Sequence, residues 1–147
     1  MTLRCQSGIT LIEMLVVMTI VGLLAAVAAP SVGSGVETVR LRSTGERLAA
    51  TLRTGRDRAV RTRHYQEVSI DPKTALVELR DLEAGSVSSW ELPSTIQVKG
   101  EKRMAFQMYP DGGVQAMKVN LQNLRGRQVE VSMDPFTLFP AVREVSQ

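Results

Sequence analysis

The chain has 147 residues, enough for one modest domain, and a formal net charge of +3, which does not by itself indicate a nucleic-acid-binding protein. Its only cysteine, Cys5, excludes an intrachain disulfide, and its only histidine, His64, argues against a histidine-based metal centre or a Ser-His catalytic pair. The sequence has no phosphate-binding loop, paired metal ligands or nucleophile elbow, so we expect no cofactor and no enzymatic activity.

The chain begins with a short polar segment and then an apolar run, residues 9–29, which ends before Pro30. A helix of this length, rising about 1.5 Å per residue, matches the hydrocarbon core of a bilayer. Arg4 precedes the run, and positive charge on that side keeps the N-terminus in the cytoplasm. Glu13 is the only charge within the run. Because a carboxylate at membrane depth costs about 2.5–3.5 kcal/mol, we expect Glu13 to have a function.

Three interpretations of this front segment compete. It is a plain membrane anchor, a secretory signal cleaved near the small residues 25–29, or a leader that ends at Ser7-Gly8 and leaves the apolar run in the mature protein. Glu13 counts against the second interpretation, because an apolar signal core gains nothing from a carboxylate.

The motif GITLIE, residues 8–13, followed by the apolar run, closely resembles the start of type IV pilins and type II secretion pseudopilins. Ile9 stands where phenylalanine is commonest in that family. The resemblance implies that a prepilin peptidase cuts after Gly8 and methylates the new amine of Ile9. It also implies that Glu13 pairs with the terminal amine of a neighbouring subunit, since a partnered charge is tolerated in a low dielectric. The alternative is a Glu13 side chain that only reaches toward the membrane interface.

Residues 30–63 are predicted to extend the helix, with Gly22 and Pro30 as kink positions. Small and apolar residues then recur at steps of four and three, which places them on one helix face that another element packs against closely. Leu48 and Leu52 are the expected anchors of this face, whose members are Leu41, Gly45, Leu48, Leu52, Gly55 and Ala59.

The opposite side of this helix is strongly basic. Eight arginines against Glu46 and Asp57 give residues 40–63 a net charge of +6. This surface could contact acidic lipid headgroups, an acidic partner subunit or nucleic acid, or it could simply be solvated. No aromatic residue is interleaved among the arginines, which argues against stacking of single-stranded nucleic acid. The arginines are Arg40, Arg42, Arg47, Arg53, Arg56, Arg58, Arg61 and Arg63.

From Tyr65 onward the apolar period changes to two, and turn residues separate short strands. The predicted fold class is α+β, with a long N-terminal helix, half transmembrane and half amphipathic, packed on antiparallel β-sheets. Predicted strands cover 65–70, 75–80, 87–92, 96–100, 103–109, 114–121, 127–133 and, less regularly, 136–142. We expect Trp90, Phe106 and Phe136 in the core, Asp111 and Asp134 in turns, and Asp81 and Glu83 in a solvated linker.

The second half looks like the GspH/FimT branch of the same superfamily, through Tyr109-Pro110-Asp111-Gly112 and the segment VEVSMDP, residues 129–135. The T-G-R ending of many members is missing here. The resemblance implies a pilin-like, two-sheet fold and a minor pseudopilin of the type II secretion system. Such a subunit sits at or near the tip of a periplasmic pseudopilus that helps to export folded proteins.

This resemblance divides the chain into a leader peptide (1–8), a transmembrane and filament-core helix (9–29), an amphipathic helix extension (30–63) and a periplasmic β-sheet domain (64–147). It implies a single pass through the bacterial inner membrane, with the N-terminus cytoplasmic and the C-terminal domain periplasmic. The implied partners are other minor and major pseudopilins, the prepilin peptidase and the inner-membrane secretion platform.

Two alternative functions remain open. One is a FimT-like minor type IV pilin that binds DNA for natural transformation through basic residues near the C-terminal end. The residues available here are Arg125, Arg127 and Arg143, a thin basic patch, so nucleic acid is not the expected partner. The other is a pilus-assembly priming subunit with neither activity.

Overall fold

A computed structural model describes residues 10–145, apart from the side chains of residues 27–34. The chain divides into two compact units, residues 1–36 and 37–147, and each is described by itself. Helix α1 spans Leu11–Thr62, so its front part lies in the first unit and the rest in the second. The strands are β1 (Gln66–Asp71), β2 (Leu76–Asp81), β3 (Val87–Glu91), β4 (Ile96–Val98), β5 (Met104–Met108), β6 (Met117–Asn123), β7 (Gln128–Met133) and β8 (Pro140–Val145).

The strands form two four-stranded sheets. Sheet A has the order β3-β2-β1-β5, and sheet B has the order β4-β6-β7-β8. All neighbouring strands in both sheets are antiparallel. The predicted α+β class, a long helix with antiparallel sheets, is therefore confirmed.

The helix face predicted from the step of four and three is buried in the second unit. Leu41, Leu48, Leu52 and Ala59 are all buried. A Cβ atom added to Gly45 would lie 3.1 Å from Val129 and 3.2 Å from Val142, which belong to sheet B. One added to Gly55 would lie 2.6 Å from Met108 Sδ and 3.0 Å from Leu79 Cδ1, in sheet A. The helix thus packs on both sheets, and each glycine lies where side chains of one sheet come close to the helix. The core residues that the sheets contribute include Val68, Ile70, Val77, Leu79, Val119, Leu121, Val129 and Val131.

The last strand begins later than the sequence predicts, and this shift removes Phe136 from the core. Trp90 and Phe106 pack partly buried against the core, as expected. Phe136 does not, because Asp134 forms a tight turn. The Asp134 carboxylate accepts the backbone N–H of Phe136, and the Asp134 carbonyl accepts the backbone N–H of Leu138. Leu138 takes the inward position and Phe136 is 93% exposed, so the predicted core role of Phe136 is wrong.

Asp81 is also placed differently from the prediction, because it ends β2 and is buried rather than part of a solvated linker. Its carboxylate accepts hydrogen bonds from the backbone N–H groups of Ala84 and Glu83 and from Gln66 Nε2. The hydrogen bond from Ala84 is the largest cause that lowers the pKa of Asp81 from 3.8 to about 2. Glu83 is exposed, as predicted. Asp111 acts as a turn residue, accepting the N–H of Gly113.

Candidate assembly site

The first turn of α1 places Glu13 beside an N-cap residue. Thr10 Oγ1 accepts a hydrogen bond from the backbone N–H of Glu13 at 3.3 Å, and the Thr10 carbonyl accepts the N–H groups of Glu13 and Met14. A threonine followed three residues later by glutamate is a known helix-start pattern, so the sequence carries this signal. The carboxylate of Glu13 sits at the positive end of the helix dipole, which favours negative charge there. Gly8 and Ile9 lie outside the described residues.

The front of α1, residues 11–24, exposes apolar side chains on every side. Since a folded protein rarely exposes so much contiguous apolar surface, this segment is a candidate contact surface for another chain or for lipid. The exposed residues are Leu11, Ile12, Met14, Leu15, Val16, Val17, Met18, Ile20, Val21, Leu23 and Leu24. Over the residues that the structure describes, no helix combines the length and hydropathy needed to cross a membrane.

The two predicted kink positions lie within the residues assigned to α1. A Cβ atom added to Gly22 would have no other atom within 4 Å, so close packing does not require glycine there. The side chain of Pro30 is not among those described. The kinks at Gly22 and Pro30 stay predictions.

Two of the helix arginines hold the second unit together. The Arg47 guanidinium lies 4.3 Å from the ring centroid of Trp90, and the Trp90 indole N–H donates to Thr51 Oγ1. Arg56 Nε donates to the carbonyl of Gly112 at 3.1 Å. Counting aromatic residues near the arginines in the sequence could not reveal the Arg47–Trp90 contact, because Trp90 lies in β3, far from Arg47 along the chain.

The C-terminal arginines form a weaker basic patch than their number suggests. Arg125 and Arg127 line one side of an open groove of about 410 Å³, together with Glu144. Arg125 Nε forms an ion pair with the Glu37 carboxylate at 2.8 Å. Arg143 stands opposite Glu130 in the β7–β8 register. The structure therefore brings Arg125 and Arg127 together at the groove, and it pairs Arg125 with an acidic side chain.

His64, Asp81 and Glu83 place their ligand atoms within 4.8 Å of one another, close enough to hold a metal ion. Both Asp81 oxygens, however, lie 3.1–3.2 Å from His64 Nδ1, and the same oxygens accept the N–H groups that fold the following turn. Glu83 Oε2 accepts the backbone N–H of Tyr65. These contacts tie the end of α1 to the β2–β3 turn, and a metal ion would have to displace them.

Comparison with known proteins gives a match to a family model at the front of the chain and a match to a relative over most of its length. The family described as the prokaryotic N-terminal methylation motif matches residues 3–29, which include Gly8, Ile9 and Glu13. Type II secretion system protein H of Xanthomonas campestris pv. campestris is 31% identical over 127 residues, covering 80% of this chain and 72% of that protein. The chain belongs to the type II secretion system protein H family.

A solved structure supports the fold of this protein H family member independently. The minor pseudopilin EpsH from the type 2 secretion system of Vibrio cholerae matches with a TM-score of 0.57 over 73% of this chain and 97% of that one. Its sequence identity is 14%, so the likeness concerns the fold. The GspH-like resemblance and the pilin-like, two-sheet architecture expected from the sequence are confirmed.

Proposed function

We propose that this chain is a minor pseudopilin of a type II secretion system, a structural subunit at or near the tip of a periplasmic pseudopilus that helps to export folded proteins. The observation that carries the proposal is its 31% identity to type II secretion system protein H. We infer a structural role, which the exposed apolar side chains at the front of α1 support, since they suit contacts with other chains.

Processing would precede assembly. Prepilin peptidase would remove the leader, residues 1–8, by cutting after Gly8, and Ile9 would be methylated. Residues 9–29 would hold the subunit in the bacterial inner membrane with the N-terminus cytoplasmic, and later line the filament core. Residues 30–63 would carry the helix into the sheet domain, residues 64–147, in the periplasm. The match of the methylation motif to residues 3–29 supports this order.

Glu13 would guide assembly by pairing with the Ile9 amine of a neighbouring subunit. It lies four residues beyond Ile9, about 6 Å along a helix, so neutralisation within one subunit or between two is within reach. Removing one partner of a buried ion pair leaves the other charge at its full desolvation cost. The partners in this scheme are other minor and major pseudopilins and the inner-membrane secretion platform.

DNA uptake has less support. Phosphate binding needs free cationic side chains, but Arg125 is paired with Glu37, and Arg47 and Arg56 contact Trp90 and Gly112. We expect duplex DNA to bind no tighter than the non-specific range of about 10⁻⁴–10⁻⁶ M at physiological salt.

The proposal is tested by deleting the gene in frame and assaying both activities in the same strain. Exported enzymes should accumulate in the periplasm, and a copy of the full chain should restore their release. Periplasmic proteins that need no second export step provide the control. Normal release combined with lost DNA uptake would contradict the proposal and support the pilin alternative.

A further inference from the structure

The loop between β7 and β8, residues 134–139, carries the most prominent aromatic surface of the second unit. We call it the aromatic loop. Phe136 is 93% exposed and Phe139 is 64% exposed, whereas Leu138 between them packs partly buried against the core. Two phenyl rings therefore project from a segment whose middle residue is fixed to the protein.

The aromatic loop is built to hold this arrangement. Asp134 Oδ1 accepts the backbone N–H of Phe136 at 2.7 Å, and the Asp134 carbonyl accepts the N–H of Leu138 at 2.9 Å. Leu138 has a φ of 59°, a left-handed conformation that residues other than glycine and asparagine rarely adopt. Such a conformation persists only where the surroundings enforce it, and it is enriched at functional sites. The two exposed rings thus start from a preorganised position, which lowers the entropy cost of binding.

The charge around the loop decides between possible partners. Residues 134–142 contain no lysine or arginine, and their one charge, Asp134, is used in the turn. The next charge along the chain is Arg143, which stands opposite Glu130 of β7. Anionic lipid and nucleic acid both require cationic side chains at the contact. An apolar pocket in another protein has no such requirement and accommodates aromatic anchors well.

We propose that Phe136 and Phe139 anchor this chain in an apolar pocket on the soluble domain of another pseudopilin of the same filament. This rests on the proposed function. Two phenylalanines bury about 150–250 Å² each, a substantial part of the roughly 800 Å² that one partner contributes to a standard interface. Phe139 also adjoins β8, the outermost strand of sheet B, whose far edge pairs with no strand in the described part of the chain. A partner seated on the loop would therefore reach an open strand edge.

The test uses the full chain in the bacterium that produces it, with an affinity tag and detergent-solubilised membranes. The double variant Phe136→Ser and Phe139→Ser is compared with Leu124→Ser, a matched control because Leu124 is 65% exposed on the β6–β7 turn. Both variants should have the same melting temperature as the wild type, since neither removes a buried side chain. The amounts of the other pseudopilins that co-purify are measured for each.

We expect the double variant to retain the partner pseudopilin at least about tenfold less than the wild type, and Leu124→Ser to retain it normally. Equal retention by the double variant would overturn the proposal. If the wild type retains no pseudopilin and its deletion leaves secretion intact, the proposed function fails as well. A second assay measures binding to vesicles of phosphatidylethanolamine and phosphatidylglycerol. If only the double variant loses vesicle binding while its pseudopilin retention is unchanged, the loop binds lipid and the proposal is wrong.

Discussion

Helix α1 carries apolar side chains in two regions, and they are exposed in the first region and buried in the second. Between residues 11 and 24 they point in all directions and are exposed, as Leu15 is at 61%. Between residues 41 and 59 they recur at steps of four and three, and Leu52 is fully buried. A helix that is apolar all round is buried by a core or by a membrane, whereas a striped helix packs on its own domain. This difference supports our proposal that the front region serves contacts outside the chain.

The carboxylates of the two regions differ in the same way. Asp81 obtains its hydrogen bonds from its own domain, through Gln66, Glu83 and Ala84. Glu13 is exposed beside the N-cap Thr10. In our account the full partner of Glu13 comes from a neighbouring subunit.

The largest contrast is expected from truncating one leucine in each region. Leu52→Ala should destabilise the second unit by about 2–5 kcal/mol, because it leaves a cavity between the helix and the sheets. Leu15→Ala removes the same atoms from an exposed site and should change stability by less than about 0.5 kcal/mol. Denaturant unfolding of the full chain in detergent, followed by circular dichroism, measures both. Similar losses of stability in both variants would contradict the distinction between a buried and an exposed region of α1.

Replacing one glycine in each region of α1 should give a smaller difference in stability. The Cβ atom of Gly55→Ala would meet Met108 and Leu79, and such overpacking typically costs about 1–3 kcal/mol. Better helix propensity offsets about 1 kcal/mol of this, so a net loss near 1 kcal/mol is expected. Gly22→Ala meets no atom and should not destabilise the protein. Thermal melting of both variants provides the measurement, and a stabilised Gly55→Ala would contradict the close helix–sheet contact.

The smallest expected effect is the change of stability with pH, which should be absent near neutral pH and appear only in acid. The pKa of Asp81 is lowered from 3.8 to about 2, so its contribution to stability is fully present above pH 4 and is lost as the pH falls toward 2. The melting temperature should therefore hold from pH 7 to 5 and drop below pH 4. Asp81→Asn should reduce that acid slope. An unaltered slope in Asp81→Asn would refute this assignment.

The sequence predicted the fold best where burial repeats regularly. Leu41, Leu48 and Leu52 follow the helical period because one face meets the sheets. Gly45 and Gly55 fall where side chains of the sheets lie close to the helix backbone. Strands β2, β4, β6 and β7 were recognisable because more buried and more exposed positions alternate in them. The superfamily of type IV pilins and pseudopilins was recognisable from residues 8–13, which the methylation-motif match includes.

Prediction failed where turns and long-range contacts set the side-chain positions. An alternating pattern cannot reveal that the Asp134 turn sends Phe136 outward and Leu138 inward. The burial of Asp81 depends on hydrogen bonds that close the turn after β2, and the Arg47–Trp90 contact joins segments far apart in sequence. An aspartate at the end of a strand and directly before a turn was the available signal for Asp81.

The central claim is that the front of α1 works between subunits, and cysteine crosslinking in secreting cells tests it most directly. Leu15→Cys and Leu52→Cys are introduced separately into a Cys5→Ser chain, with a matching cysteine in the front helix of the major pseudopilin. The account predicts a crosslink through Leu15→Cys that disappears when Glu13→Ala is added, and none through Leu52→Cys. A Leu15→Cys chain that stays uncrosslinked while secretion proceeds, or that crosslinks equally with Glu13→Ala, would contradict it.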